Sequence, residues 1–181
     1  MELIDGDVVA MSPSPGSRHQ SIQLKLASRM DAYFECRACR PFIAPLDVKL
    51  SADTVVQPDL MVVCRREQIR PTHIEGAPAL VVEILSDSTG LYDRHVKLRL
   101  YARHGVREVW LVTPCPGLVE VFLLDGETYR FITACSSGEI LRSPSFPGLD
   151  IGLDPVFDFP FGGQDEIRVV KEDSAVFGNG V

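Results

Sequence analysis

Residues 79–113, ALVVEILSDSTGLYDRHVKLRLYARHGVREVWLVT, decide the fold. They open with a short apolar run rich in Val and Ile, which predicts a buried strand. Turn-forming residues follow, and apolar side chains then recur at helical spacing until Gly105, which can take the left-handed conformation that ends a helix. A second apolar run at 106–112 predicts another strand. The stretch therefore predicts a strand–helix–strand unit.

One carboxylate, Glu83, interrupts the first of these strands. An ionised carboxylate inside an apolar strand costs free energy unless it is paired or binds a cation. On the helix that follows, Asp93, Lys97 and Tyr101 are spaced four residues apart and so share one face. That face begins close to the end of the Glu83 strand. We expect an acid and a base to meet there.

A second carboxylate, Asp59, lies in the apolar run 55–63, directly after Pro58. Proline cannot donate a main-chain hydrogen bond, so it marks an edge, a bulge or the first residues of a strand. Two acids on successive strands suggest a pair that shares a cation. Asp59 could instead cap a turn through backbone amides.

The remaining segments predict a mixed α/β chain. Residues 17–34 form an amphipathic pattern with His19 in the first turn, where a surface histidine is the ordinary interpretation. Alternation over 42–50 predicts one strand with a solvent-facing side. Hairpin signals at 2–11 and 119–133 predict antiparallel extensions of the central sheet.

Composition indicates an ordinary globular chain. With 181 residues, of which 45% are hydrophobic, we expect a single domain over 1–160 and an acidic C-terminal tail over 161–181. No apolar run is long enough to span a bilayer, and the first residues lack a basic and then apolar leader, so we expect a cytoplasmic protein. The net charge of -7 argues against a general nucleic-acid coat but permits a local basic groove around 94–107.

The five cysteines do not suggest a disulfide framework, so reduced thiols are expected. Cys36 and Cys39 match C-x-x-C, but no second pair completes a zinc site. Cys64, Cys115 and Cys135 lie at the ends of apparent strands and are interpreted as core or flanking thiols.

The order of these segments resembles the PD-(D/E)XK nuclease superfamily and, more narrowly, the Uma-type family of restriction-endonuclease-like proteins. The resemblance covers roughly residues 3–157 and depends on the order and spacing of several short motifs. The matching motifs are QPDL at 57–60, APALVVEILS at 77–86, DRHVKL at 93–98 and YARHGVREVW at 101–110, with PGSRH at 15–19 and PGL at 147–149. The resemblance implies a restriction-endonuclease-like core with a central curved mixed sheet, flanking helices and antiparallel hairpins.

The resemblance also implies a function, namely a metal-dependent endonuclease that hydrolyses phosphodiester bonds, with DNA as the expected partner. Asp59, Glu83 and the main-chain carbonyl of Ile84 would bind Mg²⁺ or Mn²⁺, because hard oxygen ligands suit these ions. The superfamily's usual lysine would fall at Leu85, so Lys97 on the following helix is its candidate replacement. Lys97 would orient the attacking water or stabilise the phosphate. A homodimer follows by analogy with nucleases that act on duplex DNA.

Further contacts and alternatives remain open at this point. Four residues are candidates for contacts to the substrate or for hydrogen bonds that hold the metal ligands in place: His19, Asp93, Tyr101 and Ser86. Several of the site residues also have a simpler interpretation. Glu83 could pair with Lys97 without any metal. Ser86 could be no more than a helix cap, and Tyr101 no more than a core aromatic residue. Two other functions compete: a binding or assembly module that keeps the nuclease fold without its chemistry, and a metal-dependent phosphodiesterase for a small substrate.

Overall fold

The computed structural model describes residues 1–9, 16–85 and 90–160, with the backbone alone described at 90–93. The predicted tail at 161–181 and the predicted capping residue Ser86 lie outside these ranges. Within these ranges the chain forms three α-helices: α1 (Ser17–Phe34), α2 (Gly90–Arg103) and the short α3 (Asp154–Phe157). None of these described helices is both long and apolar enough to cross a bilayer.

The central sheet is mixed and has six strands. They are β3 (Arg40–Ile43), β6 (Leu60–Val63), β8 (Leu80–Ile84), β9 (Glu108–Thr113), β10 (Leu118–Asp125) and β11 (Thr128–Ser136). Their order across the sheet is β11-β10-β9-β8-β6-β3, with β8 and β9 parallel and every other neighbouring pair antiparallel. Because α2 connects β8 to β9, the predicted strand–helix–strand unit and the mixed fold class are confirmed.

A second, five-stranded sheet lies beside it. Its strands are β1 (Glu2–Ile4), β2 (Asp7–Val9), β4 (Asp47–Lys49), β5 (Val55–Val56) and β7 (His73–Glu75), in the order β2-β1-β5-β4-β7. The N-terminal hairpin, predicted to extend the central sheet, is the edge of this second sheet, so that placement is wrong. The last two strands, β12 (Ile140–Arg142) and β13 (Asp150–Gly152), pair only with each other.

Two prolines explain why each of two predicted strands is divided. The strand predicted over 42–50 is split into β3 and β4, with Pro45 between them. The run over 55–63 is split into β5 and β6, with Pro58 between them. A proline has no N–H to donate to a strand ladder, so pairing stops there and the chain passes from one sheet to the other. Asp59 is consequently placed where the two sheets meet.

The two faces of the central sheet form separate apolar clusters. Along β8, Val82 and Ile84 pack in the cluster that includes α1, whereas Val81 packs in the cluster that includes α2. Successive side chains of a strand point to opposite faces. Glu83 therefore shares the α2 face with Val81, while Ile84 faces α1. The end of β8 thus lies between the two helices.

A disulfide bond corrects the prediction of five reduced thiols. Arg40 pairs with Val63 across β3 and β6, which brings Cys39 opposite Cys64, and their sulfurs are bonded at 2.03 Å. The C-x-x-C pair at Cys36 and Cys39 is therefore not a unit: Cys39 bonds across the sheet and Cys36 stays exposed and free. Sequence spacing missed this bond because it depends on strand register.

Candidate active site

Glu83 is the centre of the candidate site. It is only 4% exposed, and the Lys97 ammonium lies 3.1 and 3.0 Å from its two carboxylate oxygens. The Tyr101 hydroxyl donates a hydrogen bond of 2.5 Å to Glu83 Oε1. Lys97 and Tyr101 reach the same carboxylate because they are four residues apart on α2. The predicted meeting of an acid and a base is confirmed, and Tyr101 is both a buried core residue and a contact of the site.

Ionisation in this group follows from burial and pairing. Burial raises the pKa of Glu83 to about 7, against the opposing effect of the Lys97 charge. Burial alone would lower the pKa of Lys97, but the carboxylates of Glu83 and Glu2 raise it above its ordinary value. Lys97 therefore stays protonated at neutral pH. Burial and the neighbouring Glu83 raise the pKa of Tyr101, which stays a neutral donor.

Asp59 lies directly before β6, beside the end of β8. Its Oδ2 accepts a hydrogen bond of 2.7 Å from the Ile84 N–H, and its Oδ1 is 3.2 Å from His19 Nε2. The Gln23 side-chain amide donates a hydrogen bond of 2.7 Å to the Asp59 carbonyl. His19 and Gln23 are four residues apart on α1, so one helix face holds both the side chain and the backbone of Asp59.

His19 belongs to the site rather than to the open surface, since its side chain is 15% exposed. Burial alone would lower the pKa of His19, but the Asp59 carboxylate, the Ile84 carbonyl and the Glu83 charge raise it above 6.5. Its Nδ1 is buried without a hydrogen-bond partner among the described residues. An unpartnered buried nitrogen is costly, which marks a position where a bound water or ligand group would be stabilised.

Glu2 is the residue of the site that the sequence did not single out. It begins β1, is 7% exposed, and its Oε1 lies 3.7 Å from Lys97 Nζ. The same oxygen accepts a hydrogen bond of 3.1 Å from the Gln57 N–H, just before Pro58 and Asp59. In the sequence, Glu2 is an acid at the start of a polar hairpin, and nothing near it indicates that it contacts Lys97. Its place depends on the pairing of Leu3 with Val55.

The donor set fits a hard divalent cation. No cluster of three or more His, Cys, Asp or Glu side chains is gathered for a metal within the described part of the chain. Mg²⁺, however, commonly takes only one or two carboxylates and keeps several waters. Asp59, Glu83 and the Ile84 carbonyl would supply two carboxylates and a neutral oxygen at the meeting point of β6 and β8, which suits Mg²⁺ or Mn²⁺.

The other predicted site residues have separate outcomes. The side chain of Asp93, like Ser86, lies outside the described residues, so its expected contact with Lys97 stays a prediction. Trp110 is a fully buried core residue, as expected, and its indole N–H donates to the buried Glu108 at 2.6 Å. Glu108 also accepts hydrogen bonds from the Ser143 hydroxyl and the Ser145 N–H. This buried acid is structural, because its partners are Trp110 on the same strand and the loop that follows β12.

Three comparisons show which known proteins the chain is similar to. The chain is similar to the uncharacterized protein slr1290 of Synechocystis sp. (strain ATCC 27184 / PCC 6803 / Kazusa), with 30% identity over 112 residues, which cover 61% of this chain and 58% of that protein. The match thus spans little more than half of the relative's length. The fold is similar to a crystal structure from Anabaena variabilis ATCC 29413, described as a putative nuclease belonging to DUF820, with a TM-score of 0.68 and 23% identity, covering 86% of this chain and 88% of that one.

The family comparison covers most of the chain. The model of the Uma2 family matches residues 1–154 and so includes Glu2, Asp59, Glu83 and Lys97. The resemblance inferred from the motifs is confirmed by this match. The chain therefore belongs to the Uma2 family, whose description is "Putative restriction endonuclease".

Proposed function

We propose that the protein is a metal-dependent nuclease that hydrolyses phosphodiester bonds, with DNA as its substrate. One observation carries the proposal: Asp59, directly before β6, accepts a hydrogen bond from the Ile84 N–H next to Glu83, and Lys97 lies within 3.1 Å of the buried Glu83 carboxylate. Buried acids that have a cation beside them are common where an enzyme must bind a metal and activate water. The family description and the nuclease-like fold of the Anabaena variabilis protein support the same activity.

Each residue has a distinct part in this proposal. Asp59, Glu83 and the Ile84 carbonyl would hold Mg²⁺ or Mn²⁺, which when bound neutralises charge on the phosphate and lowers the pKa of water. Lys97 stays protonated and donates hydrogen bonds to a phosphate oxygen or to the attacking water. Tyr101 fixes one oxygen of Glu83.

On the α1 side of the site, His19 and Gln23 fix Asp59 at its carboxylate and its carbonyl. The His19 contact restricts the rotation of the carboxylate and the Gln23 contact holds the backbone, so less entropy is lost when a cation binds. We place the whole activity in one cytoplasmic domain over residues 1–160. Two copies related by a two-fold axis would place one site at each strand of a duplex.

A small phosphodiester is the second candidate substrate, and ion pairs favour it. Of the basic residues around 94–107, Arg94 pairs with Glu120 at 2.7 Å and Arg103 pairs with Asp5 at 2.6 Å. Paired cations release fewer counterions from a nucleic acid and so add less to its binding. With a net charge of -7, a long DNA contact would depend on a few exposed cations such as Arg99 and Arg107.

Calorimetric titration with Mn²⁺ tests the metal site. We expect binding to the native protein and its loss in Glu83→Gln, which keeps the side-chain shape and removes the charge. Glu75→Gln is the matched control, because Glu75 is an exposed carboxylate in the second sheet and its loss should leave binding unchanged. Absence of binding to the native protein, or equal binding to Glu83→Gln, would contradict the proposal.

Activity assays then separate the two substrates. Supercoiled plasmid and a small chromogenic phosphodiester are incubated with native protein, with Glu83→Gln, and with native protein plus a chelator. Nicking of the plasmid that is lost in both controls supports the nuclease. Hydrolysis of the small ester alone would support the second candidate. A metal-binding protein that cleaves neither substrate would be the binding module.

A further inference from the structure

The Lys97 ammonium lies between two carboxylates. It contacts both oxygens of Glu83, at 3.0 and 3.1 Å, and lies 3.7 Å from Glu2 Oε1. The Lys97 side chain is only 19% exposed, so water cannot replace a lost partner easily. Glu2 itself is held by the Gln57 N–H at 3.1 Å, which keeps its carboxylate in place independently of Lys97.

A cation bound by Glu83 conflicts with this arrangement. A divalent ion on Glu83 would compete with Lys97 for the negative charge of the carboxylate, and the two positive charges repel each other at short distance. A buried ammonium that loses its only anionic partner is strongly destabilised. Lys97 would therefore either compete with the metal for Glu83 or leave the site, unless another carboxylate accepts it.

We infer that Glu2 is a positioning residue that holds the Lys97 ammonium at the site when Glu83 binds the metal. This inference deepens the proposed function and rests on it. Glu2 is suited to the part because it is buried, already within an ion-pair distance of Lys97, and anchored by a backbone N–H rather than by Lys97 alone. With Glu2 charged, Lys97 keeps an anionic partner throughout. Without it, Glu83 is the one carboxylate among the described side chains that still contacts Lys97.

Two simpler functions would give different results. Glu2 could bind the metal directly, or it could only fasten β1 to the segment before Asp59. In both cases, the loss of Glu2 would weaken metal binding whether or not Lys97 is present. The inference instead requires that Glu2 matter only while Lys97 is present to compete for Glu83.

A double-mutant cycle measures this dependence. Mn²⁺ dissociation constants are determined by calorimetry for the native protein, Glu2→Gln, Lys97→Met and the double variant. Glutamine keeps an oxygen that can accept from the Gln57 N–H. We expect Glu2→Gln to weaken Mn²⁺ binding by roughly fivefold to tenfold, the size of one partly buried charge interaction. In the Lys97→Met background the same change should have an effect below about twofold.

Asp7→Asn is the matched control, since it removes one exposed charge from the same hairpin. It should leave Mn²⁺ binding unchanged in both backgrounds, which excludes a general effect of net charge. If Glu2→Gln does not fold by thermal melting, Glu2→Asp is placed in the same cycle. It keeps the charge but shortens the side chain, and a loss dependent on Lys97 is again expected.

The outcomes are distinct. An equal loss of binding with and without Lys97 would overturn the inference and leave the metal site standing. No loss in either background would overturn it as well. A native protein that binds no Mn²⁺ would overturn the proposed function, and the inference with it.

Discussion

Replacing Lys97 with methionine should destabilise the protein most at alkaline pH. Unit charges separated by 3.0 Å attract by about 5 kcal/mol at an effective dielectric constant of about 20. Desolvation of the ammonium and relaxation of the site offset part of this energy, so we expect a net cost of about 3 kcal/mol. A chain of this size loses about 2–4 °C in melting temperature per kcal/mol, which gives a decrease of about 9 °C.

The size of this destabilisation should depend on pH, because Glu83 titrates in the folded protein. The folded-state pKa of Glu83, about 7, lies above its unfolded value of 4.5. The stability linked to its protonation is thus complete below 4.5 and is lost as the pH rises through the folded pKa. Without Lys97 the folded pKa of Glu83 rises further. The destabilisation should therefore be small near pH 5, where Glu83 is protonated, and largest near pH 8.

Urea unfolding in the presence of a chelator, followed by fluorescence of the single tryptophan, Trp110, measures the effect. Arg99→Met is the matched control, because Arg99 is an exposed cation on the same helix. The double variant Glu83→Gln/Lys97→Met should recover much of the lost stability, since no buried charge is then left unpaired. An equal loss near pH 5 and pH 8, or a double variant no more stable than Lys97→Met, would refute this reasoning.

Three further predictions concern stability. Cys39→Ser should lower the free energy of unfolding by about 3 kcal/mol, because the bond to Cys64 closes a loop of roughly 25 residues; reductant should affect only the native protein. Glu108→Gln should cost about 1–2 kcal/mol, since an amide cannot accept every hydrogen bond that the carboxylate accepts, and Trp110 fluorescence should report it. His19→Gln should remove stability that is complete below pH 6.5 and lost as the pH rises through the raised pKa of His19.

Each of these has a result that would count against it. A native protein as stable in reductant as without it would contradict the first. Unchanged unfolding of Glu108→Gln would mean that loop residues 143–149 do not depend on the buried acid. For the third, unfolding curves of His19→Gln and native protein that stay parallel from acid to alkaline pH would show that the pair with Asp59 contributes nothing.

Local sequence signals were sufficient to predict the strand–helix–strand unit and to single out Asp59 and Glu83. The apolar run that contains Glu83, the helical spacing of Lys97 and Tyr101, and the glycine at 105 are short-range patterns, and β8, α2 and β9 follow them. Gly105 adopts a φ of 79°, as expected for a residue that ends a helix. The pairing of Glu83 could be predicted because a lone acid in an apolar strand is costly without a cation beside it.

Features that depend on long-range register were not predictable in this way. The assignment of β4 and β5 to a second sheet follows from pairing between distant segments rather than from alternation within each of them. The bond between Cys39 and Cys64, the anchoring of Asp59 by Gln23, and the approach of Glu2 to Lys97 have the same origin. Only the paired strands show which residues face each other.

The wide spacing of these contacts along the chain has a consequence for biosynthesis. Asp5 and its partner Arg103 are 98 residues apart, and Glu2 and Gln57 are 55 apart. Ribosomes add about 5–20 residues per second, so roughly 5–20 s pass before the N-terminal hairpin can meet α2. Until Lys97 has been added and α2 has formed, Glu83 in β8 has no ammonium beside it. A nascent chain is therefore without a complete site until α2 has left the ribosome, whatever the metal concentration around it.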